Sequence, residues 1–198
     1  EYRRSVRDFV AQHILPLEID LANRDEHENI KDEVLQLVRA KAKAAGLWAL
    51  QMPLERGGRG LSVVGMAACY EEMGRSIFGP VCFNSAAPDD GNMIVLSRVA
   101  TEPQKDRWLQ PIIDGEVRSS FAMTEPMPGS GSDPSAMQTF ARREGDTWVV
   151  NGHKWFISNA HRANFAILIA RTEDDPELPQ AANTAFIVEL PSSGWTEV

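Results

Sequence analysis

An α+β fold, with an all-helical domain followed by an antiparallel, barrel-like β-domain, is the class this sequence predicts. Three observations predict it. Apolar residues recur at helical spacing from the start of the chain to about Asp114. After Gly115 the period changes to short alternating runs rich in β-branched and aromatic residues. Tight-turn pairs, Gly145-Asp146 and Asn151-Gly152, punctuate that second half, the latter as a type I′ hairpin signal. The boundary near Asp114 to Val117 gives a helical domain over residues 1–116 and a β-domain, expected to be incomplete, over residues 117–198.

The elements follow in order. Val6, Phe9, Val10, His13, Ile14 and Leu17 form the stripe of a first helix, which Pro16 kinks or interrupts. A second helix runs from about Ile30 to Ala45, with Val34, Leu37, Val38 and Ala42 on its inner face and Gly46 as its stop. Gly57-Gly58-Arg59-Gly60 is a turn, since no βαβ unit surrounds it to make a dinucleotide loop. Ser62 caps a third helix carrying Met66, Tyr70, Met73 and Ile77, and a fourth lies around Met93 to Val99. Thr101-Glu102-Pro103-Gln104 is a capping box that opens a helix burying Trp108, Leu109 and Ile112. Strands are expected at Ser119–Met123, Gln138–Arg143, Thr147–Val150, His153–Ser158, Phe165–Arg171 and Thr184–Leu190, with an acidic loop from Thr172 to Ala182.

Composition narrows the function. The net charge of −8 carries no basic cluster beyond Arg3, Arg4 and Arg7, which read as a solvated helix face. Nucleic-acid and anionic-membrane binding need clustered base and are disfavoured. The longest apolar run, Phe165 to Ala170, is far short of a membrane span. Cys69 and Cys82 fit no metal spacing and read as buried thiols of a reducing compartment. His13, His27, His153 and His161 show no zinc pattern, and His13 reads as a packed core histidine. The chain starts at Glu1, without methionine or a secretory pattern, and stops on the approach to another strand; the expectation is a fragment. Its expected compartment is the cytoplasm, with the mitochondrial matrix as the alternative.

Chemistry concentrates between Phe121 and Ala160. Thr124 ends a strand just before Pro126, so its hydroxyl sits at a rim, although a plain turn residue fits the same place. The loop Gly129-Ser130-Gly131-Ser132-Asp133 frees backbone N–H groups and hydroxyls for an anion, without the lysine and helix of a triphosphate loop. On a strand, Phe156 and Ser158 share one face and Trp155 and Ile157 the other; strand aromatics also serve as ordinary core. Together these groups suit a large planar cofactor with a phosphate tail. No catalytic base can be named in the segment.

The order Met123-Thr124-Glu125-Pro126, a Gly/Ser loop ending in Ser132-Asp133, then Gly145-Asp146, Asn151-Gly152, Lys154 and Phe156-Ile157-Ser158-Asn159 closely resembles the acyl-CoA dehydrogenase family. The resemblance extends upstream through AKAAGLW, CYEEMGRS and APDDGNM and covers essentially the whole chain, APDDGNM pointing to the branch fused to kinase-like domains in animals. It implies an N-terminal helical domain and a middle β-domain, with a third, helical domain absent here. It implies FAD as cofactor, an acyl-CoA thioester as substrate, an electron-transfer flavoprotein as electron acceptor and a homo-oligomer for the full-length protein.

By the same resemblance, Phe121, Met123 and Thr124 line the flavin, with Thr124 bonding the ring edge. Ser132 reaches the FAD phosphates or the acyl-CoA chain. Phe156, Ile157 and Ser158 cover the other side of the ring, Ser158 near the reactive nitrogen. The glutamate that removes the α-proton belongs to the absent domain, and Glu125, in a structural turn, is not its substitute. Two departures stand out. The Thr124–Asp133 loop is two residues longer than the common pattern, so Ser130 can stand in for Ser132. The usual tryptophan is phenylalanine at 156, with the indole one residue earlier at Trp155. An acyl-CoA oxidase or flavin monooxygenase of the same fold, and a non-catalytic binding protein, are the alternative readings.

Overall fold

A computed structural model of the chain describes residues 1–129, 131–172 and 182–197. These form two compact units, residues 1–116 and 117–198. The first unit is helical. Helix α1 (Tyr2–Phe9) continues through a π turn (Val10–Ile14) into α2 (Leu15–Ile19). The cause is Pro16, which has no N–H and whose ring crowds the carbonyl of Gln12; a widened turn relieves both. The same device recurs where a π turn (Lys105–Leu109) joins α7 (Glu102–Gln104) to α8 (Gln110–Asp114) just before Pro111.

Between them run α3 (Asp32–Ala44), α4 (Val63–Met73), the short α5 (Gly79–Cys82) and α6 (Asp89–Val99). Ser62 caps α4 by accepting the Gly65 N–H, and Thr101 with Gln104 forms the expected capping box. Gly46 (φ +69°) ends the turn after α3 in the left-handed conformation. The core gathers Val6, Phe9, Val10 and Ile14 with Leu35, Val38, Met66, Met73 and Phe83. His13 packs edge-on against Phe9, with ring centroids 4.8 Å apart. Cys69 and Cys82 are buried free thiols, and burial pushes Cys82 up to about 12.

Three details differ from expectation. Leu37 is 67% exposed and Leu35 takes its inner position, because the inner face of α3 also accommodates the buried Arg39. Ile77 lies past the end of α4 and is 64% exposed. Arg3 and Arg7 are more than a solvated face. They reach across to α4 and donate to buried Glu72 at 2.9 and 2.6 Å.

The second unit holds a five-stranded sheet: β1 (Ser119–Ala122), β2 (Phe140–Glu144), β3 (Thr147–Asn151), β4 (Phe165–Arg171) and β5 (Asn183–Glu189). The expected passage from a helical to a β-domain holds, while the antiparallel, barrel-like sheet expected there is mixed and not closed. β1 runs parallel to β4, because the long excursion between them brings the chain back to re-enter in the same direction. β2 also meets β4 in parallel, at the single pair Phe140–Arg171, while β2–β3 and β4–β5 are antiparallel. The order is β1-β4-β2-β3, with β5 also paired to β4. The sheet curls without closing: the rings of Trp148 on β3 and Phe186 on β5 come within 5.4 Å, and Phe186 packs on a cluster of Ala122, Ala141, Leu168 and Ala170.

Two turn expectations part company. Gly145 (φ +62°) does close the β2–β3 hairpin. Asn151-Gly152 closes nothing, since Asn151 is the last rung of β3, opposite Phe140. The predicted strand His153–Ser158 is absent among the described residues. Its chain leaves the sheet after Asn151 and is held by other bonds, described below. Of the acidic loop expected from Thr172 to Ala182, residues 173–181 lie outside the described residues, as does Ser130.

Glu72 ties α1 to α4, and hydrogen bonds first from Arg7 and then from Arg3 overcome its burial, bringing it from 4.5 to about 2. A carboxylate with a depressed folded value stabilises above its unfolded value and loses that contribution as pH falls through the folded one. Glu72→Gln is therefore expected to lower the melting temperature at pH 7, with the gap to wild type closing between about pH 4.5 and pH 2. Thermal melts across that range check it; a gap independent of pH refutes it.

Candidate functional site

The segment that follows β1 is organised by one buried carboxylate. Glu125 is 2% exposed. Its Oε2 accepts the Gln138 N–H at 2.7 Å, and its Oε1 accepts the Thr139 N–H at 2.7 Å. Lys154 Nζ donates to Oε1 at 3.0 Å and to the Met123 carbonyl at 2.8 Å, and it rests 3.6 Å from Met137 Sδ. The Lys154 side chain is 8% exposed, so the pair is buried. Burial pushes the Glu125 carboxyl up, but the donors from Thr139, Gln138 and Lys154 win and hold it at about 2. Burial lowers Lys154, against the pull of Glu125. An acid held ionised by this many donors is a poor proton acceptor. Glu125 is a structural anchor, as its place before Pro126 suggested.

This anchor gathers three stretches. Glu125 pairs with Gly131, its N–H bonding the Gly131 carbonyl at 3.1 Å, which brings round the loop that leads to Ser132. The Trp155 N–H donates to the Thr124 carbonyl at 3.1 Å. Gly152 permits the close approach of the returning chain: a Cβ there would lie 2.2 Å from Thr139 Oγ1. Gly129 is equally confined, since its Cβ would meet Glu125 Oε2 at 2.6 Å.

Each sequence-predicted residue has a definite place. Phe121, on β1 opposite Ile167, and Met123 are half-buried. Thr124 is half-buried at the strand end, and among the described residues no side chain or backbone group bonds its hydroxyl. Ser132 and Ser158 are exposed, on the loop after Gly131 and beyond Phe156. Ile157 packs on the sheet core beside Ala122 and Leu168, so its side chain is structural. Phe156 is 81% exposed and holds a left-handed φ of +54°.

That φ overturns the alternation argument for residues 153–158. With the strand absent, Trp155 does not turn away from Phe156. The two rings sit 4.5 Å apart at 34°, with Trp155 41% exposed. A bulky residue in the left-handed region is a strained outlier, and such strain clusters at ligand sites. Thr124, Trp155 and Phe156 are thus brought together through backbone bonds, with hydroxyls, amides and exposed rings that suit a planar heteroaromatic ligand.

Sequence reasoning missed Lys154 as the partner of Glu125. The signal available was an acid beside a proline and a lone lysine in an otherwise aromatic stretch. It also missed Trp155 as part of an exposed ring pair, because the strand assignment decided its direction.

Removing one member of the buried pair strands the other's charge. Glu125→Gln and Lys154→Met are each expected to cost about 3–5 kcal/mol, and the double variant well under the sum. Urea denaturation of all four proteins measures this; additive losses contradict it.

The chain is similar to known proteins over nearly its whole length. The family model described as acyl-CoA dehydrogenase, N-terminal domain, matches residues 1–116, and that of the middle domain matches residues 120–197. Acyl-CoA dehydrogenase family member 10 of Mus musculus is 37% identical over 201 aligned residues, covering 96% of this chain and 18% of that protein. A probable acyl-CoA dehydrogenase of Mycobacterium tuberculosis is 34% identical over 205, covering 100% of this chain and 49% of its own length. The solved structure of a putative acyl-CoA dehydrogenase from Mycobacterium abscessus superposes with a TM-score of 0.85 at 36% identity, over 98% of this chain and 50% of that one. The chain thus spans half or less of these relatives.

Proposed function

The chain belongs to the acyl-CoA dehydrogenase family, spanning its N-terminal and middle domains, and from that premise we propose that its second unit cradles FAD for α,β-dehydrogenation of an acyl-CoA thioester. The observation that carries the reading is Phe156, strained at φ +54° with its ring exposed, one residue from a backbone bond to Thr124. When bound, the flavin supplies the two-electron acceptor that the reaction needs. This chain's own residues bind and orient it. The Thr124 and Ser158 hydroxyls offer hydrogen bonds to the ring, and Trp155 and Phe156 offer stacking area that also excludes water. Ser132 stands on the loop that meets the phosphates or the acyl-CoA chain. Phe121 and Met123 line the strand end, while Ile157 acts through its backbone.

No residue described here removes the α-proton in this reading, since Glu125 is held as an anion by its donors. The base belongs to the further length over which the relatives extend. Electrons pass on to an electron-transfer flavoprotein, and the expected compartment is the cytoplasm.

Titration of FAD with the protein, followed by quenching of flavin fluorescence, tests the reading. Saturable uptake is expected, weakened about tenfold by Phe156→Ala, for a stacking contribution near 1.4 kcal/mol. Absence of uptake, or affinity unchanged in Phe156→Ala and Trp155→Ala alike, sinks it.

A further inference from the structure

The Glu125–Lys154 pair contains more than an anchor requires. The Glu125 carboxylate already accepts backbone N–H groups from Gln138 and Thr139, one on each oxygen. What the Lys154 ammonium adds is its bond to the Met123 carbonyl, at 2.8 Å the shorter of its two oxygen contacts. That carbonyl shares a peptide unit with the Thr124 N–H. A charged donor on the oxygen of a peptide withdraws electron density through the unit and strengthens its N–H as a donor. The next peptide is treated alike: the Trp155 N–H donates to the Thr124 carbonyl, and the Glu125 N–H of that unit donates to Gly131. So residues 154 and 155 grip two successive carbonyls, and the first grip carries a full charge. Among the described residues the Thr124 N–H meets no acceptor.

We propose that Lys154 is a positioning residue for the flavin, acting through the Met123–Thr124 peptide: its ammonium fixes that peptide and makes the Thr124 N–H a strengthened donor offered to the ring. The inference rests on the FAD reading above. Glu125 serves it by keeping the buried ammonium charged and aimed, and Met137 closes the space behind. An apolar residue could fill the volume of Lys154, but it would leave the Met123 carbonyl without its charged donor and the Thr124 amide unpolarised.

The first readout needs no cofactor. In the FAD-free protein, Lys154→Met is expected to move the Thr124 amide proton resonance upfield, and Lys154→Arg to restore it. In the FAD-loaded protein, Lys154→Met is expected to bind flavin about tenfold more weakly, the loss of one charge-assisted bond, and to make its midpoint potential more negative. Lys154→Arg is expected to recover both. If Lys154→Met does not fold, Lys154→Gln, a neutral donor of similar reach, is expected to show the same signs. An unmoved Thr124 resonance, with unchanged affinity and potential, overturns the inference and leaves the FAD reading intact. A wild-type protein that takes up no FAD overturns the reading, and the inference falls with it even where the resonance moves.

Discussion

A carboxylate out of water must be surrounded by donors or it does not stay charged, and Glu125 meets that demand by recruiting two separate stretches of chain. Gln138 and Thr139 arrive from the approach to β2, and Lys154 from the chain that leaves β3. Each recruit drags its neighbours. Lys154 brings Trp155 within reach of the Thr124 carbonyl, and Trp155 brings Phe156. The geometry of the candidate site is the consequence of satisfying one buried charge.

The sheet explains why a charge is needed there. β1 and β4 run parallel, so the chain between them makes a long excursion with no ladder to hold its first and last residues. The apolar burial of this unit includes a cluster of Ala122, Ala141, Ala170 and Leu168 and, beyond that cluster, the fully buried Phe165, Ile167 and Met137. Apolar burial is non-directional and does not by itself choose one path for the excursion. Directional bonds to a single acceptor choose it, at the cost of desolvating the pair. The strain at Phe156 is tolerated because the bonds on its N-terminal side are made elsewhere.

Much of this was legible in the residues. The change of period after Gly115 marked the passage from helices to strands, and β4 emerged with the bounds its apolar run suggested. The helix caps at Ser62 and Thr101 are local chemistry and were readable as such. Direction was not. Whether β1 and β4 run parallel depends on where the excursion re-enters, which no local pattern encodes. Asn151-Gly152 misled for a related reason: the pair suits a hairpin, but here its glycine serves a close approach to Thr139. Thr124, Ser132, Phe156 and Ser158 stood out by residue type, and their roles were implied by the family resemblance. The Glu125–Lys154 contact that organises them joins residues 29 apart and follows from no spacing rule.

The central claim is that satisfying Glu125 holds the strand end and the ring pair together. Amide hydrogen exchange in Glu125→Gln tests it most directly. The account predicts that the amides of Gln138, Thr139 and Trp155 lose protection together, while those paired between β4 and β5 keep theirs. A Trp155 amide that stays as protected as in the wild type would contradict it, because that bond to Thr124 would then stand without the carboxylate.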